Sequence, residues 1–143
     1  MSREMLIHEA LNKQEFAAPS GGDLREESAT AFPGFVRNLP RADYSKDGGE
    51  AIRGYVVQGA AQQVVFNEND EALTFRPHRH AQSFGIVLEG ECRLVIAGIE
   101  TIHRKGDVYH VPAGIEHYAW QSAGYRDIVI FDEPTRVEVK HDR

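Results

Sequence analysis

Residues 90–124 read GECRLVIAGIETIHRKGDVYHVPAGIEHYAWQSAG, and their punctuation decides the fold. Gly90, Gly98, Gly106, Gly114 and Gly124 stand eight, eight, eight and ten residues apart. Turn signals at that interval, separating short apolar segments, mark an all-β sandwich or barrel. In the first segment Cys92, Leu94 and Ile96 alternate with Glu91, Arg93 and Val95, which is the period of a half-buried strand. Phe84–Leu88 and Ile128–Phe131 are dense in bulky apolar residues and suit strands covered on both faces. Between two such strands, Leu88-Glu-Gly-Glu91 reads as a tight hairpin in which Gly90 supplies a positive φ. No segment after residue 50 has a helical period, so the expected fold is all-β.

Working outward, the organisation changes on both sides. Strand-like sequence starts only around Arg53. Before it, Met5, Leu6, Ala10 and Leu11 have the spacing of a short amphipathic helix that Ala18-Pro-Ser-Gly-Gly22 ends. The acidic run Asp23–Glu27 and the turn residues Pro33-Gly34, Pro40 and Gly48-Gly49 follow. The expected layout is an irregular or partner-packed arm over residues 1–50, a barrel over 51–135 and a carboxy-terminal tail over 136–143. An extended arm suits the sheet edge of a second subunit, which predicts a homodimer.

The chain of 143 residues has the size of one domain, with 41% hydrophobic and 27% charged residues. No apolar run is long enough to span a membrane. A net charge of −6, from 16 basic and 22 acidic residues with no basic stripe, argues against nucleic acid as a partner. The amino-terminal stretch lacks a basic start followed by an apolar block, and a lone Cys92 cannot form an internal disulfide. Both features favour a reducing cytoplasm.

The chemistry lies in the histidines. His78 and His80 sit two apart in Thr74-Phe-Arg-Pro-His78-Arg-His80, and on a strand positions i and i+2 project from one face, close enough to chelate one ion. His117 follows a turn forced by Pro112 and Gly114, which can carry a third imidazole across a narrow barrel. Together these stretches resemble the paired motifs of the cupin superfamily. The first is His-x-His, a spacer, then Val87-Leu-Glu-Gly90. The second is Gly106, five residues, Pro112-x-Gly114, two residues, His117. The resemblance covers roughly residues 50–135 and implies a double-sheet jelly-roll barrel, the double-stranded β-helix, with the three histidines pointing inward.

The family usually places a Glu or Gln seven residues before the first motif's closing glycine, as a fourth ligand. Here that position is Ser83, a poor ligand, with Gln82 beside it. Either Gln82 serves through its amide oxygen, or the site has three histidines only. The second motif's closing Asn is replaced by Gln121. Imidazoles suit iron, zinc, nickel, copper or cobalt, manganese being a further candidate in a non-redox site, better than calcium or magnesium. A metal with no carboxylate ligand keeps its full charge, and its open positions suit water or an anionic, chelating substrate.

Tyr55, Phe84, Tyr109, His110 and Trp120 are secondary candidates for pocket walls, although aromatics on barrel strands are more often core. Arg53, Arg93 and Arg126 are candidates for gripping a substrate carboxylate, against the commoner role of surface charge. Cys92 reads as a small core residue. His103, His8 and His141 read as solvent-facing. Two functions fit: a metal-dependent enzyme on a small organic molecule, either dioxygenase-like or a non-redox isomerase or lyase, and a non-catalytic module that binds or senses a small ligand with a structural metal or none.

Overall fold

The alternation read in Glu91–Ile96 recurs along much of the chain, and in that strand it buries Cys92 and Leu94 while Arg93 between them is exposed. The computed structural model describes residues 32–140. A single helical turn, α1 (Gly34–Arg37), precedes β1 (Arg41–Asp43) and a 3₁₀ turn (Ser45–Asp47). There follow β2 (Arg53–Gln58), β3 (Gln63–Glu68), β4 (Leu73–His78), β5 (Ser83–Glu89) and β6 (Glu91–Ile96). The chain continues through β7 (Ile99–Arg104), β8 (Val108–Val111), β9 (His117–Gln121), β10 (Arg126–Phe131) and β11 (Glu138–Lys140). One sheet has the order β11-β1-β2-β3-β10-β5-β8 and the other β4-β9-β6-β7. All pairings are antiparallel, giving the expected all-β jelly roll. The chain divides into two units, Met1–Pro33 and Gly34–Arg143, and these strands all lie in the second. Among the described residues, no helix is long and apolar enough to cross a membrane.

The core lies between the sheets. Val56, Val65, Val87 and Val129 come from the larger sheet, and Phe75, Cys92, Leu94 and Ala119 from the smaller, all within one buried cluster. Interdigitated aliphatic side chains of this kind contribute about 1.5–3 kcal/mol each on burial. Burial pushes the Cys92 thiol up to about 12, which leaves it an inert core residue.

Three sequence expectations change. The five glycines do occupy positive-φ turns. However, β5 and β6 share no ladder: Leu88-Glu-Gly-Glu91 is a corner that carries the chain from one sheet to the other. A Cβ on Gly90 would meet Ser122 Oγ at 2.7 Å and Tyr125 Cα at 2.9 Å, so close packing requires glycine there as well as the left-handed backbone. Second, Phe84–Leu88 and Ile128–Phe131 are covered on one face only. Phe84 and Ile130, partners across β5 and β10, are 47% and 40% exposed. A run of apolar residues hides the inward–outward alternation because both faces read alike. Third, the sheet begins at Arg41, not near Arg53, and β1 pairs with β11 inside the stretch read as a tail. Arg-Ala-Asp and Glu-Val-Lys are too short and too polar to show a strand period. The helical reading over Met5–Leu11, with His8 and His141, lies outside the described residues.

Gly85 faces Tyr109 across β5 and β8, and a Cβ there would collide with the phenol ring. The Gly85→Ala substitution is therefore expected to displace Tyr109 and to destabilise the barrel by roughly 1–3 kcal/mol. Urea unfolding measures this; an unchanged midpoint would mean the ring yields freely.

Candidate metal centre

The register of β4 against β9 sets His78 directly opposite His117, after an irregularity between Phe75 and His78. His80 arrives differently. β4 ends at His78, so the i, i+2 alternation of a strand does not place the next imidazole. Instead the His80 carbonyl accepts from the Gly114 N–H at 2.9 Å, and Arg79 Nη1 donates to the Gly114 carbonyl at 2.9 Å. These bonds fasten the His-x-His segment onto the Pro112–Gly114 turn, which joins the two sequence motifs physically.

The three rings meet with centroid separations of 5.3 Å (His78–His80), 4.3 Å (His78–His117) and 4.5 Å (His80–His117). One ligand atom from each lies within 4.8 Å of the others. Their tautomers are fixed by backbone. Nδ1 of His78 is 2.6 Å from the Arg76 carbonyl, that of His80 is 2.6 Å from the Ala81 carbonyl, and that of His117 is 2.9 Å from the Ile115 carbonyl. A carbonyl only accepts, so each Nδ1 carries the proton and each Nε2 keeps its lone pair. Metal-ligating imidazoles are commonly oriented by such a bond on the second nitrogen.

Burial pushes His80 down to about 3 and lowers His78 and His117 for the same reason; the positive charge of Arg136 adds to the effect on all three. The rings are therefore neutral at pH 7, the state in which imidazole binds a metal. Three neutral, pre-oriented imidazoles at this spacing can hold one divalent ion.

The histidines line a cavity of about 60 Å³, room for a group of a few heavy atoms. Its wall includes Asp127, which is 1% exposed. Asp127 Oδ1 accepts from Asn67 Nδ2 at 2.9 Å, and Oδ2 accepts from Tyr109 at 2.7 Å and from Tyr125 at 2.8 Å. Asn67 accepts in turn from the Tyr44 hydroxyl at 2.9 Å. Burial raises the Asp127 pKa, and the three donated bonds oppose that rise. Burial, reinforced by Asp127, raises Tyr109 and Tyr125 as well.

Of the two residues at the fourth position, Ser83 lines the cavity. Gln82 turns away: its Nε2 donates to Asp132 at 3.1 Å, and its Oε1 is 3.2 Å from His110 Nε2. Parity counted from His80 misplaces it because no strand connects the two, β5 starting at Ser83. Of the secondary pocket candidates, only Tyr109 lines the cavity. Tyr55 is buried elsewhere and donates to Glu68. Phe84 and His110 are exposed neighbours on the outer side of the larger sheet, and Trp120 lies under the Arg93 guanidinium, 4.9 Å away. Arg53, Arg93 and Arg126 sit beside Asp70, Glu91 and Glu68 respectively, away from the cavity.

Sequence reasoning missed Asp127 and Arg136, both on the cavity wall. Asp127 had a signal: it keeps the parity of the buried Val129 and Phe131, and an acid in phase with a core is seldom incidental. Arg136 had none, since it lies beyond the last long strand and only the fold returns it to the histidines.

Fold and site together define a jelly-roll barrel with three histidines converging inside it. Residues 63–131 match the cupin domain model, which identifies this stretch of the barrel as a cupin domain. Similar solved structures include an RmlC-like cupin from Shewanella frigidimarina, 23% identical, with a TM-score of 0.59 over 72% of this chain and 90% of that one. KdgF from Halomonas is 21% identical, with a TM-score of 0.53 over 60% and 81%. A cupin superfamily protein from Desulfitobacterium hafniense is 14% identical, with a TM-score of 0.54 over 57% and 77%. Likeness at these identities shows the fold. No curated protein matches the chain.

Proposed function

We propose that the protein binds one divalent transition metal through His78, His80 and His117 and uses it to act on a small organic molecule in the barrel. Iron(II) would give dioxygenase-like chemistry; zinc, nickel or manganese would act as a Lewis acid for an isomerase or lyase. The observation that carries this reading is the convergence of the three rings, one ligand atom of each within 4.8 Å of the others, with each Nδ1 held by a backbone carbonyl. A core that needed only packing would not present three unprotonated acceptors to each other.

The test is metal analysis of protein purified without added metal, followed by oxygen uptake with a panel of diketones, thiols and catechols. One equivalent of iron with oxygen consumption supports the dioxygenase. Absence of any metal at neutral pH and above overturns the metal-centred reading. A second reading, a binding or sensing module, is favoured by one observation: Asp127, the carboxylate on the cavity wall, is already engaged by three donors and offers no free base. Stoichiometric metal with no substrate consumed would select it.

We further propose a homodimer assembled through residues 1–31, and a cytoplasmic setting consistent with the free, buried Cys92. Light scattering is expected to give twice the chain mass, and deletion of residues 1–30 to halve it. A dimer that survives the deletion removes the arm from the interface.

A further inference from the structure

The cavity contains a cation whose own packing leaves it short of partners. Arg136 lines it together with the three histidines. Its side chain is only 9% exposed, Nη1 is 2.8 Å from Asp47 Oδ2, and Nε is buried with no hydrogen-bond partner. The guanidinium carbon sits over two rings, 5.7 Å from the centroid of Tyr44 and 5.4 Å from that of Phe131. Phe131 in turn meets His80 edge-on at 5.4 Å. Two aromatic faces and one carboxylate therefore hold the guanidinium beside the imidazoles and fix its orientation.

Such placement is costly for a chain that gains nothing from it. Desolvating a guanidinium is unfavourable unless acceptors replace the lost water, and here one carboxylate does so at one nitrogen. The other acid on the cavity wall, Asp127, has its oxygens filled by Asn67, Tyr109 and Tyr125, so it supplies no second acceptor. The charge balance points the same way. Three neutral imidazoles leave a bound divalent ion its full charge, and Arg136 outweighs no more than the Asp47 it already pairs with. An entering ligand therefore meets net positive charge, and a planar fork of N–H donors selects a carboxylate among anions.

We propose that Arg136 is the specificity residue of this cavity and that its ligand is a small carboxylate, gripped by the guanidinium at one end and by the metal at the other. The proposal rests on the metal reading above. A 2-oxo or 2-hydroxy acid, with its second oxygen next to the carboxylate, suits both grips.

The experiment uses the full chain loaded with cobalt(II), whose visible spectrum reports ligands entering its coordination sphere. Pyruvate and oxalate are titrated, with uncharged pyruvamide as comparison. The wild type is expected to bind the carboxylates and to bind pyruvamide at least ten-fold more weakly. Arg136→Gln is expected to lose roughly 10–100-fold in carboxylate affinity, while cobalt stoichiometry by mass spectrometry stays at one. Arg136→Lys, which keeps the charge without the fork, should fall between them. Arg53→Gln, on the exterior ion pair with Asp70, should bind as the wild type does. Circular dichroism melts verify that each variant is folded, and the lysine variant carries the test if the glutamine variant is not. Equal carboxylate affinity in the folded Arg136 variants overturns the proposal while leaving the metal site intact, as does a cobalt-loaded wild type that ignores both acids. A wild type that takes up no cobalt overturns the metal reading itself.

Discussion

His117→Ala is expected to abolish stoichiometric metal binding. His117 is the imidazole that the β4–β9 register sets against His78, and it is the most buried of the three at 5% exposure. Without it two ligands remain, both from one short segment, and a divalent ion bound through them gives up its third nitrogen to water. Loss of a group that merely orients a ligand lowers metal affinity 10–100-fold, so loss of the ligand is expected to lower it by more than about 100-fold. The wild type should gain thermal stability as metal is added, by about 2.7 kcal/mol at a hundred-fold excess over the dissociation constant. The variant should gain almost none. His110→Ala is the control, because that ring lies on the outer face against Gln82. If His117→Ala retains one equivalent of metal at wild-type affinity, the ion is bound elsewhere.

The second large effect concerns Asp127. Truncation to alanine leaves Asn67 Nδ2 and the hydroxyls of Tyr109 and Tyr125 pointing at an empty space on the buried wall of the cavity. Each buried donor without an acceptor costs about 1–3 kcal/mol, and the partial relief from hydroxyl rotation or an entering water does not reach all three. The expected loss is on the order of 3–5 kcal/mol, seen as a fall of more than 10 °C in the melting temperature. Asp127→Asn keeps an acceptor and its shape, and a tyrosine hydroxyl can turn to accept from the new amide, so it should cost less than half as much. A melting temperature for Asp127→Ala within two or three degrees of the wild type would show that the network is not needed to hold the barrel together.

What the sequence disclosed followed the physics of each signal. Turn glycines and half-buried strands leave local marks, so the architecture was legible from Gly90 to Gly124 and the converging histidines from the two motifs. Signals that require knowledge of which side faces inward were weaker. Phe84–Leu88 looks buried on both faces because its residues are apolar throughout, and Gln82 looks inward-facing only if the chain stays extended from His80. β1 and β11 are three residues long, and a strand that short owes its existence to its neighbours. Arg136 was invisible for a different reason: a solitary arginine after a Pro-Thr pair acquires meaning only from the ring of Phe131 and the carboxylate of Asp47, the latter 89 positions away in sequence.

That distance also orders events in time. His78 and His80 are neighbours as soon as the chain is made, but β3 finds β10 only after some sixty residues have been looped back, and Arg136 reaches Asp47 later in the chain still. Closing loops of this span limits the speed at which all-β chains fold. An ion captured early would rest on two imidazoles in open water, in a place without walls. The walls of the cavity are therefore complete only in the finished barrel, once β10 has paired with β3 and Arg136 has met Asp47.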